Sequence, residues 1–319
     1  MGLRQAQSLL STNGFYLGLK VSNLDPMRKS LTTFLGLALL LLTACRAEPS
    51  LREDRQGPAL WKVQRGETTA YVFGTIHVLP KGLAWETQGM RDAMAGSDRL
   101  VLEAAGLDDA AGSQAIFARL GQSPGLPPIT DRVPPDKRAA LDALIRRGGM
   151  SAQMLSAYES WAAAMLMSTV SQQELKLSGD EGVEAALTAD FRTAGKPVEG
   201  LETIEQQLGI FDRMPEKTQR AFLAETVGQS QDVATQFERM KTAWLKGDMD
   251  AIAHDFAAEM AADPELIGPL LTDRNRAWAD KVTAMKGRPF IAVGVAHLAG
   301  PNNLIALLER RGFRVTRVQ

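Results

Sequence analysis

The chain holds three histidines in 319 residues, and two of them close the same short pattern. Tyr71-Val72-Phe73-Gly74-Thr75-Ile76-His77 and Phe290-Ile291-Ala292-Val293-Gly294-Val295-Ala296-His297 are each an apolar, β-prone run ending in Gly-x-x-His. Each is followed by Val or Leu and then by a loop carrying Pro and Gly. A glycine at the end of a strand lets the backbone turn sharply. The pattern therefore predicts both imidazoles on loops at the carboxyl edge of a sheet, where α/β proteins bind ligands. Two further β-type runs, Arg99-Leu100-Val101-Leu102-Glu103 and Lys196 to Glu202, end on a carboxylate.

His77, His297, Glu103 and Glu202 are thus four donors expected at one kind of edge. Two imidazoles with one or two carboxylates suit Zn, Mn, Fe or Co better than Mg or Ca, which prefer oxygen alone. Such a set leaves a coordination position for water, whose pKa the metal lowers enough to supply hydroxide near neutral pH. His77 and His297 would be ligands, Glu202 a further one, and Glu103 a ligand or the base that deprotonates the water. The plainer alternative is that each histidine is a structural residue satisfied at a turn. His254 sits in a helical pattern with no second ligand at i+3 or i+4 and reads as structural. Arg274 and Asn275, with Trp278, lie in a helical stretch before the last strand pair; they can clamp a carboxylate or stabilise an oxyanion. Ion pairing with Asp273 or Asp280 is the other use open to Arg274. There is no His-Glu-x-x-His helix and no Walker loop.

The elements that must position these residues follow from periodicity. Ala59 to Val63 and Thr69 to Ile76 predict an opening hairpin around Gln64-Arg65-Gly66-Glu67. A helix over about Trp85 to Ala95 leads to the strand ending at Glu103. Residues 108–177 turn helical, cut into short pieces by Pro124, Pro127, Pro128, Pro134 and Pro135. Methionines at 150, 154, 165 and 167 among alanines and Trp161 read as core packing. A helix over Gly182 to Ala194 precedes the strand ending at Glu202. Residues 203–286 are again helical in pattern, with breaks near Pro215, Gly228, Gly247 and Pro264. The chain closes with strand (Pro289 to Val295), loop, helix (Asn302 to Arg311) and strand (Phe313 to Val318). The expected fold is α/β: a mixed sheet core built from the two ends of the chain, enclosing a large helical insertion.

The amino-terminal segment stands apart. Met27-Arg28-Lys29 is basic, Leu31 to Leu42 is apolar, and Leu42-Thr43-Ala44-Cys45 closes the run with small residues before a cysteine. About a dozen apolar residues are too few for a stable membrane-crossing helix, so a cleaved export signal is expected. Met27 is the more natural start, and residues 46–58 read as a tether. Cys45 is the chain's single cysteine, which excludes an internal disulfide and a thiolate metal site. With 45% hydrophobic residues and a formal charge of −1, the chain has ample core and no bulk attraction to nucleic acid or acidic lipid.

Taken together, these motifs resemble two known signatures. Leu42-Thr43-Ala44-Cys45 is similar to the lipobox of bacterial lipoproteins, which implies lipidation at Cys45. The paired Gly-x-x-His motifs resemble those of the TraB/PrgY/GumN family, which includes the Tiki proteins, and so do Leu60-Trp61-Lys62-Val63 and Val101-Leu102-Glu103. Gly195-Lys196-Pro197-Val198, Gly200-Leu201-Glu202-Thr203 with Gln206, and Arg274-Asn275-x-x-Trp278 match as well. The resemblance runs from about Ala59 to the carboxyl terminus. It implies a metal-dependent hydrolase of peptide or amide bonds using Mn or Co, with Zn a further option. His77, Glu103 and His297 would be active-site residues, supported by Arg274, Asn275 and Glu202. Where relatives show Gly-x-Asp before a leucine, this chain has Gly182-Val183-Glu184, a carboxylate longer by one methylene. The expected protein is an exported, lipid-anchored envelope protein facing the periplasm, with a peptide or small-molecule substrate, no nucleic acid, and membrane contact through its lipid alone. The alternative is a non-catalytic envelope protein that sequesters a peptide, a metal or haem, or an envelope scaffold.

Overall fold

The computed structural model describes residues 57–319 apart from 107–108, 231 and 261–266. The expected export signal, Cys45 and the helix break near Pro264 lie outside the described residues. Strands are β1 (Leu60–Arg65), β2 (Thr68–Thr75), β3 (Leu79–Pro80), β4 (Arg99–Ala104), β5 (Leu177–Ser178), β6 (Val198–Glu202), β7 (Pro289–Gly294) and β8 (Arg314–Arg317). β1 and β2 form the expected hairpin, paired from Leu60 opposite Phe73 to Arg65 opposite Thr68. Its turn is only Gly66 and Glu67. Gly66 adopts φ +55°, the left-handed first position that a two-residue hairpin turn fills with glycine.

Six strands make one sheet in the order β6-β4-β7-β2-β1-β8. β6, β4, β7 and β2 run parallel, while β1 is antiparallel to both its neighbours. The four parallel strands therefore present their carboxyl ends side by side. The two Gly-x-x-His strands are direct neighbours, with Gly74 opposite Val293 and Thr75 opposite Gly294. That adjacency joins segments more than two hundred residues apart in the chain.

All six residues of β7 are buried, as expected for a central parallel strand covered on both faces. Its side chains alternate between two cores. Phe290 and Ala292 pack with Phe73, Leu102, Phe191 and Trp244 on one face; Ile291 and Val293 pack with Val72, Val101, Trp278 and Leu308 on the other. Each such side chain contributes roughly 1.5–3 kcal/mol on burial, so this strand ties the two layers together.

A third core belongs to the helical insertion and is built on Phe117, Trp161, Phe211 and Phe222. Trp161 meets Phe117 edge-on at 5.5 Å and stacks on Phe211 at 6.1 Å. Met165 and Met167 belong to this core as expected, whereas Met154 is 42% exposed. Arg132 orders the proline-rich loop from within, donating from Nε to the Pro127 carbonyl at 2.8 Å and from Nη2 to that of Ser156 at 2.6 Å. No described helix is long and apolar enough to cross a membrane. At the other end of the fold, Gly57 and Pro58 are buried, and the Pro58 carbonyl accepts from the Gln319 amide at 2.7 Å. The last two residues of the expected tether thus belong to the packed fold.

Candidate functional site

Each expected site residue stands where its strand ends. Glu103 is the penultimate residue of β4, Glu202 the last of β6, and His77 and His297 follow β2 and β7 by two and three residues. All four are nearly inaccessible: His297 is 0% exposed, Glu103 4% and His77 8%, and the Glu202 side chain is 9% exposed. Arg274 and Asn275 arrive from the opposite direction, in the first turn of the helix Asp273–Ala284. That helix is entered through a π-helical stretch, Gly268–Thr272, which also contains Pro269.

Arg274 is the hub. Its guanidinium has five N–H donors in a fixed fork, and each finds an acceptor. Nη2 donates to Glu103 Oε2 at 2.6 Å and to Glu202 Oε1 at 2.6 Å, and Nε to Glu202 Oε2 at 3.3 Å. Nη1 donates to the Leu270 carbonyl at 3.1 Å and reaches His297 Nε2 at 3.0 Å. The guanidinium carbon lies 4.4 Å from the centre of the Trp278 ring, a cation–π contact made stronger by burial. Burial alone would lower the pKa of Arg274, but Glu103 and Glu202 more than offset it and hold the arginine charged. Arg274 thus pairs with neither Asp273 nor Asp280, which go to Arg276 and Arg311.

The tautomer of His297 follows from a chain of directional bonds. The Asn275 amide nitrogen donates to the Asn302 carbonyl at 3.3 Å, which turns Asn275 Oδ1 towards His297 Nδ1 at 2.7 Å. An amide oxygen only accepts, so Nδ1 carries the proton and Nε2 offers its lone pair to Arg274. Burial, together with the charges of Arg274 and His77, holds His297 well below its ordinary pKa, in accord with a neutral ring. Trp278 covers that ring at 4.3 Å between centroids.

His77 is held differently. Its Nδ1 lies 2.6 Å from Glu184 Oε1, and Glu184 also accepts from the Thr75 hydroxyl. Gly182 makes this approach possible: a Cβ there would fall 2.0 Å from the His77 carbonyl oxygen. The helix Val183–Thr193 can therefore start against the β2 loop, and Val183 N–H donates to the Ile76 carbonyl at 3.2 Å. Burial would lower the His77 pKa, but Glu184, with help from Glu103, carries it above the ordinary value. Glu184 is correspondingly held low, since His77 and Thr75 outweigh the effect of burial. His77 Nε2 is buried and has no hydrogen-bond partner among the described residues. Long-range ¹⁵N NMR checks both assignments: His297 stays in the neutral Nδ1–H form from pH 8 to pH 6, while the His77 ring titrates above pH 6.5.

The four side chains expected to bind a transition metal are brought to one edge, yet three of them are engaged with Arg274. Both oxygens of Glu202 and the Nε2 of His297 meet Arg274; Glu103 accepts from Arg274, from the Gly294 N–H at 2.7 Å and from Gln207 at 3.1 Å. Of the two imidazoles, only His77 keeps an unpartnered nitrogen. Among the described residues, no three His, Cys, Asp or Glu side chains are disposed to hold an ion. As packed, this donor set fits a guanidinium and not a divalent metal.

Glu184, Thr75 and Gln207 complete the site. The sequence signalled Glu184 through the Gly-x-carboxylate pattern, but not that it would face His77 rather than a metal. Nothing in the sequence singled out Gln207, which follows the Thr203–Gln206 capping box of the helix Ile204–Asp212. His254, in the helix Met249–Met260, is exposed and takes no part in this cluster.

Glu202 and Arg274 also border a cavity of about 510 Å³ whose walls include Ile210, Met214, Pro269, Ala277 and Trp278. Apolar walls are joined there by the buried ion pair and by Gln206, Arg213, Thr218, Asp273 and Lys281, a combination common to small-molecule and peptide sites. His77 is not among the lining residues.

Comparison with curated proteins and with solved structures returned no match. The model of one family does match, over residues 59–317, which takes in every strand of the sheet and all of the buried cluster just described. By that match, the chain is a member of the TraB/PrgY/gumN family.

Proposed function

We propose that this protein hydrolyses an amide or peptide bond at the carboxyl edge of β2 and β7, with His77 as the group that moves the proton. The observation that carries this reading is the unpartnered Nε2 of a buried imidazole whose other nitrogen is fixed on Glu184. Leaving a buried polar atom unsatisfied costs about 1–3 kcal/mol, and a carboxylate–imidazole pair with one free nitrogen is the arrangement a general base requires. His77 Nε2 takes a proton from water as the water oxygen bonds to the substrate carbonyl carbon. The carbon–nitrogen bond then breaks, and the same proton passes to the departing nitrogen, giving a carboxylic acid and an amine. The Tiki-type resemblance implies Mn or Co, but the donors here are engaged with Arg274, and no step is assigned to a metal. Arg274 and Asn275 act as positioning residues that hold Glu103, Glu202 and His297.

One observation favours a second reading. The cavity reaches Arg274 and Glu202 but not His77, which suits a protein that holds a peptide or small molecule in the cell envelope without turning it over. Under either reading, the signal resemblance supports export and a lipid on Cys45 as the only membrane contact, with the domain facing the periplasm, and the formal charge of −1 supports no bulk attraction to nucleic acid. The purified protein incubated with a peptide library separates the two. Hydrolysis at His77 predicts cleavage that is lost in His77→Gln. Peptides that bind but stay intact move the conclusion to sequestration. A library neither bound nor cut defeats both readings.

A further inference from the structure

We infer that the cation which Glu103, Glu202 and His297 are arranged to hold is the Arg274 guanidinium itself, so that this chain takes no divalent ion there until Arg274 is removed. The argument is one of lone pairs and directions. A transition metal needs nitrogen and oxygen donors at about 2.0–2.2 Å with their lone pairs aimed at it. Arg274 Nη1 lies 3.0 Å from His297 Nε2, on the one lone pair that ring has. Arg274 Nη2 stands 2.6 Å from an oxygen of each glutamate, and Nε closes the fork on Glu202. An ion at the meeting point of these donors would have to occupy the space of the guanidinium. Arg274 is not a mobile side chain that happens to lie near: it is 6% exposed, covered by Trp278, and anchored by the Leu270 carbonyl one turn behind it.

The neighbours are set for this occupant. Asn302, in the left-handed conformation at φ +58°, supplies the carbonyl that orients Asn275. Asn275 in turn fixes the proton of His297 on Nδ1 and leaves Nε2 to accept from an N–H. The Gly294 N–H and the Gln207 amide hold Glu103 so that Oε2 faces the guanidinium. Removing the guanidinium while keeping this frame leaves two carboxylates and a neutral imidazole Nε2 converging on one point, and that is a three-ligand divalent site.

The inference does not depend on turnover, so its test reads metal content and not activity. Wild-type protein is equilibrated with Mn²⁺, Co²⁺ or Zn²⁺, passed through a desalting column and assayed for bound metal, and its Tm is recorded with and without EDTA. The expected result is under 0.1 equivalent of metal and a Tm that EDTA does not move. Arg274→Ala is expected to bind about one equivalent of Zn²⁺ and to gain Tm on adding it, and Arg274→Ala/His297→Ala to lose both effects. One equivalent of metal in the wild type, lost in His297→Ala, overturns the inference. Should Arg274→Ala fail to fold, the wild-type stoichiometry still decides. Folded Arg274→Ala that binds no Zn²⁺ also overturns it, because the converging donors would then be no site at all.

Discussion

On the proposed hydrolysis, His77→Gln is expected to lower kcat by about 10²–10⁴-fold, the usual contribution of a positioned general base. Glutamine keeps a polar group near Glu184 and roughly the ring's length, so the loss reports the proton-transferring nitrogen more than a collapsed site. Steady-state kinetics on a cleaved peptide, with circular dichroism to confirm folding, reads it out. A kcat within threefold of wild type would remove His77 from the chemistry. The pH profile sharpens the test. A base must be unprotonated, and the Glu184 carboxylate holds His77 above its ordinary 6.5, so kcat/KM rises with pH through a pKa higher than 6.5. In Glu184→Gln that limb moves to lower pH. Stability has its own pH dependence. The raised His77 contributes fully below about pH 6.5, an effect lost as pH climbs through its folded-state pKa. The depressed Glu184 contributes above about 4.5, an effect lost as pH falls through its own folded-state value. The cost of Glu184→Gln is therefore greatest between these limits and shrinks in alkaline solution.

Arg274→Met destabilises the fold by about 3–5 kcal/mol, the usual result of deleting one partner from a buried ion pair. The reason is what remains. Glu103 and Glu202 would face each other with no cation between them, His297 would lose its donor, and the Leu270 carbonyl its partner. For a domain of this size the loss amounts to a fall in Tm on the order of 10 °C. Burial already pushes Glu202 above its ordinary pKa despite the pull of Arg274, so without the arginine it takes up a proton, and the deficit eases as pH falls. Arg274→Met/Glu202→Gln is expected to recover part of the stability, since one of the stranded charges is gone. Thermal melts of the three variants at pH 7.5 and pH 5.5 measure this. A single variant as stable as wild type would mean that the cluster is not the keystone described here.

The frame was legible because periodicity and punctuation are local. Runs such as Phe290-Ile291-Ala292-Val293 read as β-prone strands, and Gly66 marks a turn without reference to anything distant. The edge on which His77, Glu103, Glu202 and His297 gather followed from each run ending on a donor. What they gather around did not follow. Arg274 lies in a helical stretch whose charged neighbours, Asp273 and Asp280, offered it nearer partners in sequence. Only the tertiary arrangement, with β4 and β6 bringing two carboxylates beneath that helix, decides the competition. Glu184 and Gln207 illustrate the same limit. Each is an ordinary helical residue until Gly182 or the neighbouring strand end brings it against a buried polar group.

The position of β7 has a consequence for how the molecule comes into being. It is the seventh of eight strands in sequence and yet lies between β4 and β2 at the heart of the sheet. During synthesis those two wait as unjoined edges until β7 leaves the ribosome, since no earlier described strand spans the gap. Long-range pairings of this kind are slow to form. Nascent intermediates that end short of β7 should therefore expose sticky borders, and a premature stop between residues 200 and 289 should yield insoluble product and not a smaller working domain.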